Sequence, residues 1–161
     1  MADPLAPEAL TSINALLRHM EEEASLFQEL SRLLERQREA LKEVGAPRLG
    51  AVREETERLL SLLDRVAEAR SESLAAVARH LGMEADAVTV GALLERLPGH
   101  SGAAHELEAL RGRLRGITEE VRRRGETAQH LLEVSLETLH AIFALVQQET
   151  TEGLYGGEGA V

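Results

Sequence analysis

Apolar residues return at alternating intervals of three and four through almost all of this chain, a spacing that long packed helices satisfy and strands do not. The first run is Leu10, Ile13, Leu17, Met20, Ala24, Phe27, Leu30, Leu34, Gln37, Leu41 and Val44, with one slip near Leu30. Pro7 suits its first turn, and Gly45 with Pro47 ends it and starts the next. The second run is Leu49, Val52, Thr56, Leu59, Leu63, Val66, Arg70, Ser73, Val77 and Leu81, and Gly82 is its natural stop. The turn VGAPR is short, so the second helix returns antiparallel to the first. At about 1.5 Å per residue each helix spans roughly 50 to 55 Å. Such a hairpin has little core of its own and needs a third partner.

The sequence supplies one after a connector. Thr89 is a candidate N-cap for a short helix with VGALLERL as its body and Pro98 as its end, and Ser101 can cap a long third helix. The third run is Leu107, Leu110, Leu114, Ile117, Val121, Arg124, Ala128, Leu131, Ser135, Thr138, Ile142 and Leu145. Gly112, Gly116 and Gly125 each cost roughly 1 kcal/mol against alanine, so fraying or a bend is expected in its first half. With 43% hydrophobic but only 2% aromatic residues, the core must be an aliphatic seam. The expected fold is all-α, an elongated antiparallel three-helix coiled-coil bundle with a short connecting helix and a flexible C-terminal tail. Its helices should cover about 7–44, 48–81, 89–97 and 102–148 of one helical domain over 1–148, with a flexible Gly-rich tail over 149–161.

Several function classes fit poorly. There is no cysteine, so neither a disulfide framework nor a thiolate metal site is possible. The opening MADPLAPEAL lacks the basic and apolar regions of a signal peptide, and no segment approaches about 18 uninterrupted apolar residues. A cytoplasmic protein is expected. A formal net charge of -10 opposes association with nucleic acid or anionic lipid. One Glu-x-x-His pair, Glu137 with His140, falls short of a di-iron bundle site, and no HExxH, phosphate-binding loop or Gly-x-Ser-x-Gly occurs. The expectation is a protein that is not an enzyme and needs no cofactor. Arg111, Arg113, Arg115, Arg122, Arg123 and Arg124 form a cluster that reads either as a nucleic-acid stripe or as partners for Glu22, Glu23, Glu29, Asp64, Glu68 and Glu72 on the other helices. The second reading fits the acidic chain better. Arg70 and Arg124 lie on the seams themselves, so each should snorkel or meet a carboxylate.

If the third helix begins level with the end of the second, residues near Leu131 reach the Gly45–Pro47 turn and the last turns overhang. There Leu139, Ile142, Phe143, Leu145 and Val146 make an apolar face wider than the seam used elsewhere. That face is ordinary core if the connector shifts the helix back, and a partner-binding face if it does not. Beyond it lies the only tyrosine, Tyr155, in the segment GLYGGEG. So scarce an aromatic outside the core suggests a docking contact.

The order of segments resembles the FlgN-type flagellar export chaperones. The resemblance rests on ERQREALKEV ending the first helix, EETERLLSLLDRVAEAR in the second, the short TVGALLERL, the long helix carrying LLEVSLETLHAIFALV, and the glycine-flanked LYGGEG. It implies a cytoplasmic chaperone that binds the C-terminal helical segments of hook-filament junction proteins and delivers them to the flagellar export gate, with no nucleotide or metal. The groove would use Leu131, Leu132, Leu136, Leu139, Phe143 and Val146, and Tyr155 would contact the gate. A structural or adaptor three-helix coiled coil without chaperone activity is the alternative.

Overall fold

A computed structural model describes residues 5–42, 47–99 and 101–155, with side chains except at 47–49, 87, 135, 136, 138, 139, 142, 143 and 145–155. The described chain is helical, with no strand among these residues. Its elements are α1 (Pro7–Lys42), α2 (Pro47–His80), a single 3-10 turn (Ala85–Ala87), α3 (Val90–Arg96) and α4 (Gly102–Tyr155).

Local chemistry sets the ends. Leu81 closes α2 and Gly82 follows at φ 66, while the amides of Met83 and Gly82 donate to Ala78 O at 2.8 Å and Arg79 O at 3.2 Å. That pair of bonds is a Schellman motif, and the left-handed residue it requires is the glycine. Thr89 Oγ1 accepts from the amide of Ala92 at 3.1 Å to start α3, and Ser101 Oγ accepts from the amide of Ala104 at 3.2 Å to start α4. α4 runs unbroken through Gly112, Gly116 and Gly125, so the helix does not fray there. These glycines lie in the half of α4 that α1 supports, and packing there offsets their low propensity. The helix also passes residue 148, and Tyr155 is its last residue.

α1 is the shared spine. Glu23 contacts Arg70 and Arg36 contacts Glu55, so α1 and α2 run antiparallel. Arg113 contacts Glu21 and Arg124 contacts Glu35, so α4 runs parallel to α1. The core has two parts. Near the start of α1, Ile13, Leu16 and Met20 pack with Leu74 and Val77 of α2, Leu93 of α3, and Leu97, Ala104 and Leu107. Toward its far end, Leu30 and Leu33 pack with Leu59 and Leu63, and Val121 of α4 lies against them.

Between the two apolar parts lies a polar layer. His19 Nδ1 is 2.9 Å from Ser73 Oγ, and Arg70 Nε is 2.7 Å from Glu23 Oε2. Arg70 Nε is buried without an aligned hydrogen bond, so opposite charges meet at short range across that contact. Burial pushes the Glu23 carboxyl above the ordinary carboxylate range, and the opposing charge of Arg70 offsets this only in part.

The seam read from spacing needs one correction. Leu16 and Leu33, not Leu17 and Leu34, are the fully buried leucines of α1, and Leu10 is 42% exposed. A helix flanked on two sides buries a wider face than a single stripe, so Leu17 and Leu34 pack at its margins while Glu23 falls inside.

Candidate partner-binding site

The first half of α4 is fixed along α1 by apolar and ionic contacts together. Leu107, Ile117 and Ala128 are buried. The Arg113 guanidinium donates to both Glu21 carboxylate oxygens, at 2.7 and 3.1 Å. Arg124 donates to the Ser31 carbonyl at 3.1 Å and lies 2.8 Å from Glu120 and 3.6 Å from Glu35. The planar fork of arginine suits this bridging role, with its stem on the seam and its head among acceptors.

Two of the remaining arginines are neutralised along their own helix. Arg122 lies between Glu119 and Glu126, which hold its guanidinium all the more firmly charged. Hydrogen bonding to Arg122, then its charge, holds the Glu119 carboxyl below the ordinary range. Arg111 pairs with Glu108 at 3.6 Å. The acidic partners differ from those expected: Glu21 and Glu35 meet α4, whereas Glu23 meets Arg70 of α2. Shallow grooves flank the α1–α4 contact. One of about 430 Å³ is lined by Leu17, Arg18, Glu21, Ala109, Leu110 and Arg113 among others. Another, of about 230 Å³, lies between Leu34, Arg38, Arg123 and Thr127. Among the described residues, no three His, Asp or Glu side chains converge as metal ligands.

Glu21 and Arg113 are 92 residues apart in sequence and Ser31 and Arg124 are 93 apart. Carried along both helices, that offset places Lys42, the last residue of α1, level with Val134. α4 nonetheless continues as helix to Tyr155. The burial pattern agrees with this geometry, because Ala128 is the last buried residue among those whose side chains are described. Of the six residues expected to form the groove, Leu131 is half-buried and Leu132 is 36% exposed. Leu136, Leu139, Phe143 and Val146 lie on the α4 backbone, and their side chains, like that of Tyr155, fall outside the described ones. The residues after Tyr155 lie outside the described chain altogether.

A family model described as FlgN protein matches residues 1–161. The chain belongs to the FlgN family. No curated protein and no solved structure matches it. Membership implies a flagellar export chaperone role in general terms, and FlgN is a family of chaperones rather than of enzymes. The described part of this FlgN chain is helical throughout its elements. None of its described helices is long and apolar enough to cross a membrane.

Proposed function

We propose that this chain is a cytoplasmic export chaperone that binds the C-terminal helical segment of hook-filament junction proteins and delivers them to the flagellar secretion apparatus. The scaffold for this task is an elongated three-helix coiled coil, and the groove is formed by Leu131, Leu132, Leu136, Leu139, Phe143 and Val146. The observation that carries the reading is the continuation of α4 beyond the level of α1's last residue, in a chain of the FlgN family. Where a helix runs past the end of its neighbour, an amphipathic segment of another protein can pack along its apolar positions. Ordering a disordered client on such a face costs about 2 to 5 kcal/mol of the gross interaction, which favours an affinity low enough for later release. Tyr155, at the end of the same helix, is the proposed contact with the export gate.

The test is Phe143→Asp, measured by calorimetric titration with a junction-protein C-terminal peptide and by thermal melting. Binding should be abolished and the melting temperature nearly unchanged. A collapse in melting would mean that Phe143 is core and that the groove lies elsewhere. Tyr155→Ala should spare peptide binding and weaken recovery of the export gate in a pull-down; equal effects on both, or none on either, would remove that division of labour.

A further inference from the structure

The charges of α4 are sorted along its length. Arg111, Arg113, Arg115, Arg122, Arg123 and Arg124 fall in the part that runs beside α1, and no lysine or arginine occurs anywhere after Arg124. The same final stretch carries Glu126, Glu133, Glu137, Glu149, Glu152 and Glu158. Earlier in the chain several carboxylates find cations: Glu21, Glu23, Glu35, Glu55, Glu57 and Glu120 each contact an arginine. Glu126 still reaches back to Arg122, but Glu133, which is exposed, accepts only the neutral amide of Gln129 at 3.1 Å among the contacts described. Arg38 and Lys42, the last cations of α1, stand no further along than the level of Val134.

The helix end repeats the imbalance. α1 finishes on Lys42 and α2 on Arg79 and His80, cations that complement the negative end of a helix dipole. α4 has no basic residue in its last turn, and Glu152 lies there instead. Its C-terminal end therefore adds like charge to like.

Register relates these charges to the groove. Leu132, Leu136, Leu139, Phe143 and Val146 follow intervals of four and three, the spacing of one coiled-coil seam. Glu133 occupies the position flanking that seam, one heptad after Glu126. In paired helices such flanking positions meet the flanking charges of the partner and select it by sign. A second copy would bring the same stretch of glutamates, without lysine or arginine, alongside itself, and nucleic acid or an anionic membrane would add phosphates to it.

We propose that the segment seated on the outer part of α4 is a basic amphipathic helix, with lysine or arginine flanking its apolar stripe. This deepens, and rests on, the reading of that face as a client groove. Apolar burial holds the client there, and the acidic rim discriminates between clients and speeds encounter.

The test uses the full chain and two synthetic amphipathic helical peptides that share one apolar stripe and differ only in lysine or glutamate at the flanking positions. Affinities are measured by fluorescence anisotropy at low and at high salt. The lysine peptide should bind about tenfold tighter at low salt, with the gap closing as salt screens the charges. Glu133→Lys should narrow or reverse the preference, whereas Glu54→Lys, an equal charge change on an exposed position of α2, should not. Equal affinities with binding still lost in Phe143→Asp would overturn the charge inference and leave the groove standing. Binding of neither peptide would remove both, and a wild-type dimer dissociated by Phe143→Asp would make a second copy the occupant and overturn the proposal.

Discussion

Replacing Arg70 with methionine isolates the energetics of the polar layer. Glu23 is only 7% exposed and lies 2.7 Å from Arg70, while the Arg70 side chain keeps 33% of its surface in water. Removing the guanidinium leaves a buried carboxylate that can remain charged at high cost or take up a proton. Protonation caps the loss: from the ordinary value of 4.5 it costs about 1.36 kcal/mol per pH unit, or about 3.4 kcal/mol at pH 7 and about 0.7 at pH 5. Water reaching the partly open site reduces the figure, so a loss of about 2 to 3 kcal/mol at pH 7 is expected, and less than about 1 at pH 5. The sign follows from linkage. A carboxyl whose folded pKa is raised contributes stability that is complete below the unfolded value and is lost as pH rises through the folded one. Arg70→Met raises that folded value further, so the variant's deficit must grow between pH 5 and 7. Urea unfolding of wild type and variant at both pH values, followed by circular dichroism, measures the difference with the other titrating groups cancelling. A deficit equal at the two pH values would refute the argument, because Glu23 would then not be the group that Arg70 compensates. Glu23→Leu with Arg70→Met should return to within about 1 kcal/mol of wild type, as replaced buried ion pairs often do.

The backbone supplies two further checks. Gly82→Ala should cost about 1 kcal/mol in urea unfolding through its left-handed φ alone, since a Cβ there meets nothing within 4 Å, and Gly82→Asn should recover much of it. Gly112→Ala and Gly116→Ala should each raise stability by about 1 kcal/mol on the same assay, because added Cβ atoms enter open space on a continuous helix; a loss at either would mean that α4 is bent in solution.

What could be read from the residues alone is what local chemistry decides. Thr89, Ser101 and Gly82 mark helix ends because an orphan amide or a left-handed turn needs those residue types whatever lies around them. Arg70 and Arg124 were legible as cations needing acceptors because both sit on an apolar seam. Which acceptors they meet was not legible. Glu21, Glu22 and Glu23 are adjacent and alike, and only the rotation of α1 between two neighbours puts Glu21 toward Arg113 and Glu23 toward Arg70. The same rotation decides Leu16 over Leu17, since either leucine satisfies a three-four spacing. The length of α4 escaped for a different reason. Gly153 ordinarily discourages helix, and the residues before it carry no mark of a stop strong enough to fix where the backbone leaves it.

The pairing of α4 with α1 imposes an order of assembly. Arg36 and Glu55 join α1 to α2 across 19 residues, whereas Glu21 and Arg113 join α1 to α4 across 92. Loop closure grows more costly with length, by roughly 0.6 kcal/mol per doubling, and distant contacts form late in folding. The hairpin can zip from its turn before the rest of the chain has any structure to dock on. α4 can then settle from its Ser101 cap outward along a rail already laid. On this order its far end is positioned last. If that end is the client face proposed above, readiness to engage another protein would report that folding is complete.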